Sequence, residues 1–475
     1  MSLARVGIRG AYFTSIALGF RQIVSLGTTF YVARQILPSD IGLFSLVMIV
    51  IGLAQVIGDL GIATGLVRSQ KNSSDLLSTC FWISAAIGLF LSLIVFFLAP
   101  VAGWFYGKPE IQPFLQASAV GLIVNFMTPV PLAILQQKLS YREISIVQGI
   151  ASLTGAFMAI ALVYSGFGIW GLVLQPITGN VVNFMGLCWY SKWLPSFEFN
   201  IKPAKEIIYN GLNLLGAGIT GYFRNSFDAI IIGKSLPTAD LGLYGMAQTI
   251  LYAPMHLITS TISRVIFPLL AKVQNDQKKI NEAVLTATSR TALIILPLYF
   301  GLFVLAEDFV LHVFGSNWSS MTPLIRIMSI SFIVQSITNV SNPLMLALGK
   351  MKMIFLISVS GAIVYFIALI ILIPYGLQAL AMGYSVINII IALTSIIIAL
   401  KYAEIKITAY LKKLLNPILF SLVMSVVLLT SKEMVAGGTI LGFISLVITG
   451  GVFYAFLMYF FEKHVLQQIY NSIFK

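Results

Sequence analysis

Charge is scarce in this sequence. Asp, Glu, Lys and Arg make up 9% of its 475 residues, while 58% are hydrophobic. Soluble domains carry about 25% charged residues, so an ordinary water-soluble globule is excluded and a polytopic all-α membrane protein is indicated. Cysteine is nearly absent. Cys80 and Cys188 both sit in apolar stretches, which excludes a disulfide framework, and no Cys/His spacing suggests a metal site. There is no Walker loop, no metal-ligand cluster and no defensible Ser/His/Asp arrangement, so catalysis and a bound cofactor are not expected. Long loops are missing too. The longest connections, 191–206, 269–283 and 401–413, are too short to fold as domains. The start, MSLARVGIRGAYFTSIALGF, is basic and then apolar. It runs on into a full span without a small-residue cleavage pattern, so no cleavable signal peptide is expected.

What is present is a series of long apolar stretches. A helix needs about 20 largely apolar residues to cross a bilayer. On that criterion the chain predicts fourteen spans: 10–33, 42–66, 77–99, 113–136, 144–165, 168–190, 207–233, 241–268, 284–306, 321–348, 353–373, 377–400, 414–431 and 438–461. The net charge is +13, which on a soluble chain would suggest nucleic acid. Here its distribution sets topology instead. The loops on the amino-terminal side hold 20 Lys and Arg residues, and the opposite loops hold 4: Arg34, Lys108, Lys234 and Lys432. Lysine and arginine accumulate on the cytoplasmic side. Both termini are therefore expected in the cytoplasm of a multi-pass plasma (inner) membrane protein, with lipids as partners and no nucleic acid.

The sequence repeats itself. LPSDIGLF from Leu37 returns as LPTADLGLY from Leu236. FYGKPEIQPFLQ from Phe105 matches VFGSNWSSMTPLIR from Val313, Pro131–Leu132 matches Pro343–Leu344, and FGIWGL from Phe167 matches YGLQAL from Tyr375. Four anchors in one order indicate two copies of a six-span unit. Six is even, so the copies share orientation and are related by an axis along the membrane normal. The expected division is a lobe at 1–190, a cytoplasmic linker at 191–206, a second lobe at 207–400, and two additional helices with a tail at 401–475.

The costliest stretch is Ile207–Gly233, which carries Arg224 and Asp228 inside a span. A charge at mid-membrane costs at least ~2.5 kcal/mol on insertion scales. Asn210, Asn213, Thr220, Arg224 and Asp228 fall on one helical face, which should turn toward protein or water rather than lipid. That face walls a polar cavity, or Arg224 and Asp228 neutralise each other at i, i+4 and pack helices, two readings that can coexist. Charge also appears in the equivalent first hairpins. Span 1 has Arg21 with Gln22 beside it and Ser25 on its face. Span 2 has Gln55 and Asp59, and span 8 has Gln248, His256 and Arg264. Arginine outweighs aspartate in this set, which favours an anionic substrate, and guanidinium suits phosphate. Asp59 reads as a charge partner or a proton acceptor. His256 reads as a proton-linked switch or a packing residue beside Pro254. Arg264, Arg290 and Arg326 lie near span ends, where snorkelling anchors are common.

SLGTTFYVARQILPSDIGLF, VIGDLGIATGLVRSQ and LPTADLGLYGMA resemble polysaccharide or O-antigen flippases of the Wzx type, in the multidrug/oligosaccharidyl-lipid/polysaccharide exporter superfamily. The resemblance implies two six-helix lobes in a V around a cationic chamber. It implies transfer of a polyprenyl-pyrophosphate-linked oligosaccharide from the cytoplasmic to the outer leaflet, with Arg21 and Arg224 on the pyrophosphate or acidic sugars. It also implies a polysaccharide polymerase downstream and coupling to a proton or sodium gradient, with no residue fixing the ion. Two rivals stand beside it: a cation-coupled multidrug exporter of the same superfamily, which would want a chamber dominated by acid, and a membrane-embedded polymerase or ligase, which would want a sizeable external loop.

Overall fold

The structure, a computed structural model, describes residues 3–69, 73–272, 276–434 and 439–462. Among them the elements are helical, as apolar solvent demands: a backbone in hydrocarbon must satisfy its own hydrogen bonds, and within one segment a helix does so. Among the described residues ten stretches are long and apolar enough to cross a membrane, one of them a 52-residue run at Met351–Tyr402 that contains two helices. The protein is a multi-pass membrane protein. It divides into two compact units, Met1–Gly242 and Leu243–Lys475.

In the first unit, α1 (Leu3–Gln35) runs along α7 (Tyr141–Tyr164), and α7 packs on α8 (Ile169–Ser191). The second predicted span is broken. Its first part is α2 (Pro38–Gly58) and its second part is α3 (Ile62–Ser69). Asp59, Leu60 and Gly61 separate them, with Gly61 at φ +58°, a conformation open to glycine. The fourth span also breaks, into α5 (Ile111–Met127) and α6 (Pro129–Gln137), and Pro129 stands at the first position of α6. A proline there gives up no needed N–H. The half-helices α3 and α6 pack together with α4 (Ser74–Tyr106) and the start of α9 (Ile201–Ser235). Leu60, Ile62, Leu66, Phe81, Val130 and Ile134 form their buried core.

α9 counts with this unit. Repeat spacing puts a border at 190–206, whereas packing puts it at Gly242. The reason lies in the α2–α9 contact. A Cβ on Gly211 would sit 2.0 Å from the Leu60 carbonyl oxygen, and one on Gly218 would sit 3.2 Å from Val56. Farther along, Tyr222 donates its hydroxyl to the Ile49 carbonyl. Small residues let the two backbones approach, the usual device for helices in lipid.

The 191–206 connector is not a loose tether. Ser196 N–H donates to Ser78 Oγ (3.0 Å) and Trp82 Nε1 donates to the Ser196 carbonyl (2.9 Å). Asn200 N–H donates to Thr79 Oγ1 (2.8 Å), its side-chain amide donates to Asp75 Oδ2 (3.0 Å), and Phe197 stacks on Trp82. The connector is thereby fastened to the first turns of α4.

In the second unit α11 (Gln277–Val304) is the hub. It packs on α13 (Thr322–Thr338) and α17 (Ile407–Met434). α13 continues after a break at Asn339–Val340 as α14 (Ser341–Ala347), and α15 (Met351–Leu372) pairs with α16 (Gly376–Tyr402). α17 and α18 (Ile440–Phe461) join the same core through Phe420, Met424, Leu446 and Tyr454. The Tyr454 hydroxyl donates to the Leu293 carbonyl at 2.8 Å. α10 (Thr238–Lys272) starts at the end of the first unit and enters the second, where the Tyr299 hydroxyl donates to the Leu251 carbonyl at 2.7 Å.

Candidate substrate-binding site

The polar faces that the sequence singles out in the first unit belong to α1, the α2–α3 break and α9. On α9 the side toward α2 is the glycine and tyrosine side. At 3.6 residues per turn, Tyr222 lies about 200° round the helix from Arg224, so Arg224 points away from α2. Thr220 and Arg224 are both exposed, as is the neighbouring Asn225. The Thr220 hydroxyl donates back to the Gly216 carbonyl (2.9 Å), which spares it an unmet donor in an apolar helix. Among the described residues neither a hydrogen bond nor an ion pair engages Arg224. Asp228, one turn on, is 6% exposed and has interactions of its own, one of them an Oδ1 that accepts from Ala229 N–H. The i, i+4 ion pair is therefore not formed, and the Arg224 charge is left uncancelled.

On α1, Arg21 and Ser25 are exposed and Gln22 is half-buried. Ile23, 72% exposed, lies about 200° round from Arg21. An open apolar residue thus marks the side of α1 opposite Arg21 and Ser25. Arg21 Nη1 donates to Gln148 Oε1 on α7 at 3.0 Å. The sequence reading passed over Gln148. Its signal was there, a carboxamide in the otherwise apolar run SIVQGIA, but nothing in the spacing tied it to span 1.

Asp59 is exposed, and its Oδ1 accepts from Gly61 N–H at 2.9 Å. This is a carboxylate closing a short turn on its own backbone, and no arginine among the described residues pairs with it. The side chains of Asn213, His256 and Arg264 lie outside the described residues. No group of three or more His, Cys, Asp or Glu that could hold a metal occurs among the described residues. The chemistry on offer is that of two exposed guanidinium groups on separate helices, flanked by hydroxyls and amides. Such groups bind and orient anions.

A profile of the polysaccharide biosynthesis protein family matches residues 31–323, more than half of the chain. The chain belongs to that family. It is 24% identical over 410 residues to the lipopolysaccharide biosynthesis protein WzxC of Escherichia coli, covering 84% of this chain and 82% of that one. It is 23% identical over 377 residues to the teichuronic acid biosynthesis protein TuaB of Bacillus subtilis, covering 79% and 78%. Among solved structures, the lipid II flippase MurJ in an inward closed conformation superposes with a TM-score of 0.77 at 18% identity, covering 96% of this chain and 100% of that one. The likeness extends over the whole fold.

Proposed function

We propose that this chain moves a polyprenyl-pyrophosphate-linked oligosaccharide from the cytoplasmic to the outer leaflet by alternating access, supplying surface polysaccharide synthesis. The observation that carries the proposal is the pair Arg21 and Arg224. Arg21 lies on α1 and Arg224 on α9, both are exposed, and neither is neutralised by a carboxylate among the described residues. A charge kept at that cost calls for an anionic ligand. Family membership narrows the anion to a lipid-linked saccharide. In this picture Arg21 and Arg224 hold the pyrophosphate or acidic sugars, while Gln22, Ser25, Asn213 and Thr220 meet sugar hydroxyls. The prenyl tail stays in the bilayer. The chain itself does no bond chemistry.

The proposal has fourteen passes, with α15 and α16 counted separately and the polar helices α1, α9 and α10 added to the ten apolar stretches. Both termini are cytoplasmic, and the two six-span copies act as lobes, with α17 and α18 as an addition. Asp59, Asp228, His256 and Arg264 are the candidates for ion coupling or charge pairing, with a proton or sodium as the ion. A polymerase takes the product. A multidrug exporter would place free carboxylates on these faces. Here Asp59 is tied to the backbone and Asp228 is buried.

Deletion of the gene, followed by extraction of lipid-linked saccharides and assignment of their leaflet, tests the reading. Single repeat units should accumulate on the inner leaflet, and Arg224→Ala or Arg21→Ala at normal membrane levels should reproduce that. Repeat units that reach the outer leaflet unpolymerised would point to the polymerase rival. No change in lipid-linked sugar would point to drug export.

A further inference from the structure

We propose that Gln148 is a positioning residue for Arg21: it aims the guanidinium while leaving its charge whole for an anionic ligand. This rests on the reading of Arg21 as an anion-binding residue. The contact is a matched pair of neighbours. Arg21 Nη1 donates to Gln148 Oε1 at 3.0 Å. Next to it, the Phe20 ring approaches to 3.9 Å from where a Cβ on Gly149 would stand. Two consecutive residues of α1 thus face two consecutive residues of α7, with the ring far enough from Gly149 that even an added methyl would meet it at ordinary van der Waals distance. That arrangement fixes both the axial position of α1 on α7 and the direction of the arginine.

The chemistry of the partner is what matters. Guanidinium only donates, so the carboxamide must turn its oxygen to Arg21 and its NH2 away. One of the five guanidinium donors is used, and four remain. No other hydrogen bond or ion pair involving either side chain occurs among the described residues. A carboxylate at the same place would take two donors in a bidentate pair and cancel the charge. An apolar residue would leave a long, rotamer-rich side chain unaimed. Glutamine is the neutral side chain that accepts at this reach. It is therefore the residue type that separates aiming from neutralising, which simple packing of α1 on α7 would not require.

The experiment measures binding of a sugar-free polyprenyl pyrophosphate to the purified full-length protein in detergent, together with thermal unfolding, for wild type, R21A, Q148E and Q148L. Glu at 148 should tie α1 to α7 at least as firmly as Gln does, so Q148E should unfold at or above the wild-type temperature. It should nevertheless bind the pyrophosphate roughly tenfold more weakly, about the worth of one charge-assisted hydrogen bond. Q148L should lose less than Q148E, because it leaves the charge free though unaimed. R21A should lose the most. If Q148E folds and binds as wild type does while R21A is weak, Gln148 does not position Arg21 and the anion reading survives. If R21A itself binds as wild type does, the anion reading of Arg21 fails first. If Q148E and Q148L lower unfolding temperature and affinity in the same proportion, the residue only packs helices and the proposal is overturned.

Discussion

Gly42 and Gly242 each stand two residues after the aspartate of a Leu-Pro motif, and each is pressed against the other motif's turn. A Cβ on Gly42 would lie 1.8 Å from the Thr238 carbonyl oxygen, and one on Gly242 would lie 1.9 Å from the Pro38 carbonyl oxygen. The contact is reciprocal and lies inside the first compact unit. It accounts for the shape of the motif. Pro38 opens α2 at a position that needs no N–H, and Asp40 accepts from Leu37 N–H at 3.1 Å where the helix start favours negative charge. The glycine then admits the other turn. LP-x-D-x-G-L is thus a helix start combined with a docking surface.

Gly42→Ala and Gly242→Ala should each destabilise the protein. The added methyl meets backbone, which cannot rotate away as a side chain can, and overpacking of this kind costs about 1–3 kcal/mol. Thermal unfolding in detergent would show it. Gly27→Ala is the control, because nothing lies within 4 Å of its Cβ position and alanine is the better helix former. Equal melting of all three variants would mean that the close approach imposes no constraint.

Arg224→Ala should abolish transfer, and Arg224→Lys should restore part of it. Lysine returns the charge but not the planar fork. Losing a hydrogen bond to a charged group costs about 1.5–3 kcal/mol, which corresponds to roughly a tenfold to hundredfold loss of binding. The readout is inner-leaflet accumulation of lipid-linked saccharide at matched protein levels. Because Arg224 makes no hydrogen bond or ion pair among the described residues, unfolding temperature should stay near wild type in both variants. A large drop in stability would assign Arg224 to folding instead.

Much of this was legible in the sequence, for a physical reason. Lipid solvent makes long apolar runs unambiguous, and a charge within one is conspicuous because it is expensive. Arg21 and Arg224 stood out on those grounds. Composition and period could not show partners brought from elsewhere in the chain. Gln148 is 127 residues from Arg21. The i, i+4 spacing of Arg224 and Asp228 suggested a pair, but whether two helix neighbours bond depends on rotamers and on what packs above them, and here Asp228 is buried while Arg224 is not. Nor did hydropathy reveal the break at Asp59–Gly61, since a three-residue interruption barely changes a twenty-residue average. The connector at 191–206 looked like a plain loop because its hydrogen bonds to α4 use small hydroxyl and amide groups that leave no periodic trace.

Asp59 separates two roles that the sequence left open. If its carboxylate works by closing the turn onto Gly61 N–H, Asn should serve as well, because the carboxamide oxygen accepts in the same place. Asp59→Asn should then keep transfer close to wild type, while Asp59→Ala frees the turn and weakens the joint between α2 and α3 by roughly 1 kcal/mol. If Asp59 carries a proton, Asn and Ala should fail alike. Transfer measured for both variants across a range of external pH would distinguish the two.

Lys432 ties the end of α17 to the turn after α11. Its Nζ lies 2.7 Å from Asp308 Oδ2 and 3.8 Å from Glu307 Oε2, and Arg326 Nη2 reaches the same Glu307 oxygen at 3.5 Å. Asp308 is the more enclosed carboxylate, with its side chain 19% exposed against 65% for Glu307. The short Lys432–Asp308 contact should therefore carry most of the coupling, and the Glu307 contacts should be largely screened by water. A double-mutant cycle on Lys432→Ala and Asp308→Ala should return roughly 0.5–1 kcal/mol, the upper part of the range for partly exposed pairs. The corresponding cycle with Glu307→Ala should return less. Raising salt should shrink both, the Glu307 term first, because exposed pairs are screened more than enclosed ones. If the Glu307 cycle gave the larger coupling, the hold on α17 would come from the charge network as a whole rather than from this one contact.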